Sequence, residues 1–197
     1  MKILAVSDIP ADRYYKYFIP GKLDEFDLIL SCGDLPPEYL EFLVTMAKCP
    51  LVYVHGNHDD RYSREPEGCI SADDKVVECL GVRIAGLGGS YRYGGGKYMY
   101  TENQMKLRKF KLSFAIKKHR GIDILLTHAP AKGINDLDSL AHRGFDCFKC
   151  IIEKYEPKFF VHGHVHRNYG VNIPQRSSHG KTTVINAFEY CIIDLEC

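Results

Sequence analysis

The sequence predicts an α/β fold in which strands and helices alternate. Three features point that way. Apolar runs of strand length recur along the chain. Stretches of helical spacing separate several of them, and most of the runs stop abruptly at a polar cluster of Gly, Asp or His.

The elements follow in order. Lys2 to Ser7 is a strand ending at Asp8. Asp27 to Ser31 is a second, ending at Cys32-Gly33-Asp34. Pro36 to Lys48 has helical spacing through Leu40, Leu43, Val44 and Ala47, with its prolines at the start, where they are tolerated. Leu51 to Val54 is a third strand, ending at His55-Gly56-Asn57-His58-Asp59. Val76 to Leu80 and Val82 to Leu87 read as a hairpin. Ile122 to Leu126 is a buried strand ending at Thr127-His128-Ala129-Pro130. Phe145 to Tyr155 is a helix, and Lys158 to Val161 leads into His162-Gly163-His164-Val165-His166. Three strands follow: Tyr169 to Ile173, Thr182 to Asn186 and Tyr190 to Leu195.

Two stretches leave alternatives open. Gly86 to Thr101 interleaves Gly94-Gly95-Gly96 with Tyr91, Tyr93, Tyr98 and Tyr100. It is either a plain surface loop or a substrate-facing lid with Arg92 at its tip. Asn103 to Arg120 is a helix without an acidic residue, apolar at Leu107, Phe110 and Phe114. Its basic face is either a solvated surface or a docking face for nucleic acid or an acidic partner.

The chain has 197 residues and a formal net charge of +1, from 26 Lys+Arg against 25 Asp+Glu. That length predicts one domain over 1–197, at ~100–200 residues per domain. The charge balance argues against a general nucleic-acid binder. No segment approaches the ~18 apolar residues of a membrane span, so no membrane association is expected. The apolar start is too short for a signal peptide and stops at Asp8. The eight cysteines are scattered and are read as reduced thiols in a cytoplasm. Cys147 and Cys150 form a lone CxxC, which without a second pair does not make a zinc site.

The chemistry lies at the strand ends. Six of the nine histidines (His55, His58, His128, His162, His164 and His166) sit in these strands or just past them. In α/β sheets, ligands bind beyond the carboxyl ends of strands. Asp8, Asp34, Asn57, His128, His164 and His166 are therefore expected to meet. Two carboxylates, one amide and three imidazoles suit Mn²⁺, Fe or Zn²⁺ rather than a thiolate-bound metal.

The ordered runs Gly33-Asp34, Gly56-Asn57-His58-Asp59 and Gly163-His164-Val165-His166 resemble the calcineurin-like metallophosphoesterase superfamily. The resemblance extends from Asp8 to His166. It implies two mixed β-sheets packed as a sandwich and flanked by helices. It implies two divalent metal ions bridged by Asp34. Asp8 and His166 complete the first site, and Asn57, His128 and His164 complete the second. His58 then faces the phosphate as proton donor, beside Asn57. The implied reaction is hydrolysis of a small phosphomonoester or phosphodiester by a hydroxide held between the metals. Arg61, with Arg143 and Arg167 behind it, is a candidate phosphate contact. Some members of the superfamily keep the fold as a protein-binding scaffold, which remains the alternative. Asp8-Ile9-Pro10 departs from the pattern, because the superfamily has histidine where this chain has Pro10. The first site thus lacks a nitrogen ligand, and Asp12 is a candidate substitute.

Overall fold

The computed structural model describes the chain except residues 62–63, 169–172 and 197 and the side chain of residue 61. In chain order the strands begin with β1 (Lys2–Ser7), β2 (Leu28–Ser31), β3 (Leu51–Tyr53), β4 (Ile70–Ser71), β5 (Val76–Cys79) and β6 (Val82–Leu87). There follow β7 (Ser90–Tyr91), β8 (Met99–Tyr100), β9 (Ile124–Thr127), β10 (Phe159–His162), β11 (Arg176–His179), β12 (Thr182–Asn186) and β13 (Glu189–Asp194). The helices are α1 (Pro37–Ala47), α2 (Glu102–Lys118) and α3 (Asp146–Tyr155).

Two large mixed sheets form a sandwich flanked by helices. The first has the order β13-β1-β2-β3-β4, with β1 to β4 parallel and β13 antiparallel to β1. The second has the order β11-β12-β10-β9-β6-β5, with β12, β10, β9 and β6 parallel and both edge strands antiparallel. The central strands are apolar at nearly every position because both of their faces are covered. Ile3, Ala5, Leu28 and Leu30 of the first sheet share one core with Ile84, Ile124, Leu126, Val161 and Ile185 of the second. The alternate residues Leu4, Val6 and Ile29 pack with Tyr39, Leu40 and Leu43 of α1. Ala85, Leu125, Phe160 and Val184 pack with Met105, Leu112 and Ile116 of α2 and Phe148, Ile151 and Ile152 of α3.

α2 starts one residue before its expected position because Thr101 caps it. Gln104 N–H donates to Thr101 Oγ1 at 3.3 Å, and Thr101 N–H donates to Gln104 Oε1 at 2.9 Å. Glu102, thereby included, accepts the N–H groups of Asp146 and Cys147 at the start of α3. α3 places Cys147 in the core and Cys150 at the surface.

Three differences from expectation stand out. The strand expected over Tyr169 to Ile173 falls almost wholly outside the described residues. The strand found, β11, reads Arg-Ser-Ser-His and pairs with β12 at the sheet edge, so no apolar alternation announces it. The Gly86 to Thr101 stretch is also more regular than expected. β6 runs into it, and β7 and β8 pair in parallel across its glycines. Arg92 is not a tip residue facing substrate, since its guanidinium donates back to Met99 O at 3.2 and 3.3 Å. No helix among the described residues is long and apolar enough to cross a membrane.

Candidate metal centre

Parallel β1, β2 and β3 in one sheet and β9 and β10 in the other deliver their carboxyl ends to one edge of the sandwich. The loops beyond them approach backbone to backbone, which accounts for the glycines. A Cβ on Gly56 would lie 2.0 Å from Asp34 Oδ1, and one on Gly163 would lie 1.9 Å from Ser7 Oγ and 2.7 Å from Asp8 Oδ2. Only hydrogen fits there.

Asp8 and His164 each occupy the centre of a tight three-residue turn. Ile9 N–H donates to Ser7 O and Val165 N–H to Gly163 O, both at 2.8 Å, with φ of 69° at Asp8 and 66° at His164. This is the rare, strained form of such a turn for residues with a side chain. The two turns are locked together, since His164 N–H donates to the Asp8 carboxylate at 3.0 and 3.1 Å. Asp34 is also left-handed, with φ 57°. Its Oδ1 accepts His58 N–H at 2.8 Å, and its own N–H donates to Asp59 Oδ2 at 3.0 Å. Asp59 Oδ2 also accepts Gly56 N–H at 2.7 Å, so this buried carboxylate ties the second loop to the third.

The decisive geometry lies between two imidazoles. His128 Nδ1 is 2.7 Å from Cys32 O, and His164 Nε2 is 2.6 Å from Ala141 O. A carbonyl only accepts, so both of those nitrogens carry the hydrogen. The remaining nitrogens, His128 Nε2 and His164 Nδ1, face each other at 3.1 Å. Two neutral rings so fixed would point lone pairs at one another. Asn57 Oδ1 lies 2.9 Å and Asp34 Oδ2 3.4 Å from His128 Nε2, adding two acceptors to the same spot. Only a cation satisfies this set, and its oxygen and nitrogen donors fit a divalent ion. Donor atoms of Asp34, His128 and His164 all lie within 4.8 Å of one another.

Without a metal, a proton fills that role. Burial opposes charge on His128, but Asp34 outweighs it and raises the pKa to about 9. Burial, then the charge on His128, drives His164 down to about 3. Burial works to raise Asp34 as well, yet the charge and hydrogen bond of His128 hold it well below the usual carboxylate range.

Beside this cluster, Asp8 Oδ1 is 3.5 Å from His166 Nε2. Asp8, Asp34, His58, His164 and His166 line a common cavity of about 190 Å³, joined by Tyr93 and His142. His58 is exposed at its rim. Sequence reasoning missed Tyr93 as an individual residue and His142 altogether. The Tyr93 hydroxyl accepts from Asn57 Nδ2 at 3.0 Å, which turns the Asn57 carbonyl toward His128. His142 follows Ala141, the residue that orients His164, and its Nδ1 pairs with Ser139 Oγ at 2.8 Å. The one available signal was a histidine in the polar stretch between two ligand-bearing strands.

Other candidates stand elsewhere. Asp12 is exposed in a short 3-10 turn, and it does not line the cavity. Arg143 lies over the Tyr91 ring at 5.2 Å, and Arg167 lines a different hollow with Glu189 and Tyr190. The Arg61 side chain is outside the described residues. His55 is held by Asp73 at 2.6 Å and stacks on Tyr98, and His162 is buried against Gly163 O at 3.0 Å.

A two-sheet sandwich flanked by helices, with Asp, Asn and His converging from its strand ends, is the architecture of the metallophosphoesterases. The chain belongs to the calcineurin-like phosphoesterase family, whose family model matches residues 1–168. Metallophosphoesterase domain-containing protein 1 of Homo sapiens is 25% identical over 209 aligned residues, covering 85% of this chain and 61% of that protein. The Caenorhabditis elegans UPF0046 protein T07D4.2 is 29% identical over 196, covering 76% and 48%. The chain thus spans less than two thirds of these relatives. The solved structure of TT1561 of Thermus thermophilus superposes with a TM-score of 0.67 at 17% identity, covering 95% of this chain and 89% of that one.

Proposed function

We propose that this protein hydrolyses a phosphate ester with divalent cations held at the strand-end cluster. The carrying observation is the pair of imidazole nitrogens facing each other at 3.1 Å beside Asp34 and Asn57. In this reading Asp34, Asn57, His128 and His164 hold one ion. Asp8, His166 and Asp34 would hold a second, and His142, on the wall of the same cavity, is the further nitrogen donor proposed where the chain has Pro10. Such ions, when bound, lower the pKa of water and offset charge developing on phosphate oxygens.

The chain's own residues do the rest. His58 stands at the rim, where its ring can give a proton to the departing alkoxide. Its backbone N–H donates to the Asp34 carboxylate, which ties the loop that carries the donor to the proposed metal ligand. Tyr93 lines the same cavity.

Turnover of nitrophenyl phosphate and bis-nitrophenyl phosphate, with Mn²⁺ and with chelator, tests this reading. It predicts hydrolysis of at least one ester that chelator abolishes and Mn²⁺ restores. Metal-loaded protein that turns over neither ester would favour the scaffold reading instead.

A further inference from the structure

α2 is apolar on two opposite faces. Met105, Leu112 and Ile116 are buried under the second sheet's outer face. Leu107, Phe110 and Phe114 are 57%, 57% and 59% exposed, with the two rings edge to face at 5.1 Å. At about 100° per residue these three form one stripe turned away from the buried face. Lys111 and Lys118 fall along one side of the stripe, and Lys106 and Lys117 along the other. The acidic residue of the helix, Glu102, is engaged at the α3 N-terminus. A chain of net charge +1 therefore concentrates cations around an exposed aromatic pair.

The charge pattern narrows the choice of occupant. A second copy would set lysines against lysines. An acidic amphipathic helix would meet both flanks as well, and a peptide-binding measurement separates it from a lipid surface. A planar anionic surface meets both flanks at once, with the rings sinking below the headgroups while the lysines reach the phosphates. We propose that α2 docks this protein onto an anionic phospholipid surface, lying along it through Leu107, Phe110 and Phe114. This departs from the expectation of no membrane association, which rested on the lack of a spanning segment. It is independent of the proposed catalysis.

Sedimentation with phosphatidylcholine vesicles, with and without phosphatidylserine, tests the proposal. The protein should pellet only with the serine lipid and be released by high salt. The double variant Phe110→Ser, Phe114→Ser should bind at least about tenfold more weakly, since two aromatic rings are lost from the lipid contact. Both positions are exposed, and unchanged circular dichroism will confirm that the variant folds. The chain has no tryptophan, so Phe114→Trp adds a single reporter whose emission should shift to the blue on binding. Failure to pellet with phosphatidylserine vesicles at low salt overturns the proposal. So does equal binding by the double variant, or unshifted indole emission from the Phe114→Trp variant when it is bound. Binding of a synthetic Glu/Leu amphipathic peptide without vesicle binding would reassign the face to an acidic protein.

Discussion

His128 Nε2 and His164 Nδ1 face each other at 3.1 Å while their opposite ring nitrogens are committed to Cys32 O and Ala141 O. Backbone carbonyls from two separate loops thus dictate which nitrogens face each other and leave a space that either a proton on His128 or a divalent cation satisfies. Removing either ring should remove the metal and the activity together. His128→Ala and His164→Ala should each lose the tightly held ion in elemental analysis and fall to background turnover. Full metal loading in either variant would place the ion elsewhere.

The same relationship sets a pH dependence. Metal-free His128, with its pKa near 9, carries a proton that an incoming ion must displace. His164, near 3, carries none at neutral pH. Apparent Mn²⁺ affinity should therefore rise about tenfold per pH unit up to about pH 9 and level off above it. Calorimetry in buffers of different ionisation enthalpy should detect one proton released per tight ion at pH 7.

His58→Ala should keep its metal and lose about 10²–10⁴ in rate, the range for loss of a general acid. The loss should shrink for nitrophenyl esters, whose leaving group needs little protonation. An equal loss for good and poor leaving groups would assign His58 to phosphate binding.

Gly163→Ala should be as damaging as loss of a ligand. The new Cβ would press on Ser7 Oγ and Asp8 Oδ2, so the turns of Asp8 and His164 must separate. Thermal unfolding and metal content should fall together. Gly95→Ala, whose Cβ meets nothing within 4 Å and whose φ, like that of Gly163, lies outside the left-handed region, serves as the control.

Much of this was legible in the residues. The α/β class followed from strand-length runs that bury both faces, as in Lys2–Ser7 and Ile124–Thr127. Of the six polar residues expected together, Asp8, Asp34, His164 and His166 line one cavity, and Asn57 and His128 lie against that group through the His128 ring. What escaped lacked a periodic or terminal signal. β11 is a polar edge strand. His142 reaches the cavity from a short 3-10 turn, and Tyr93 from a glycine-rich connection. Tyr93 is held by the contact of its hydroxyl with Asn57, 36 residues away in sequence, which no local spacing encodes.

Pro10 gives the account a chain-specific test. The ion at Asp8 and His166 is expected to bind more weakly than the one at His128 and His164, and His142→Ala should weaken it further without touching the tight one. Pro10→His in the same variant should restore it, provided the backbone accepts the loss of proline's fixed φ. Unchanged affinities in His142→Ala would remove that residue from the proposed ligand set.

Titration of Mn²⁺ into chelator-stripped protein, with elemental analysis of the product, tests the metal centre most directly. The account predicts one ion bound tightly, a second bound more weakly, and no tight binding once His128 or His164 is alanine. Stripped protein that takes up no divalent ion at neutral pH, while remaining folded, would contradict it.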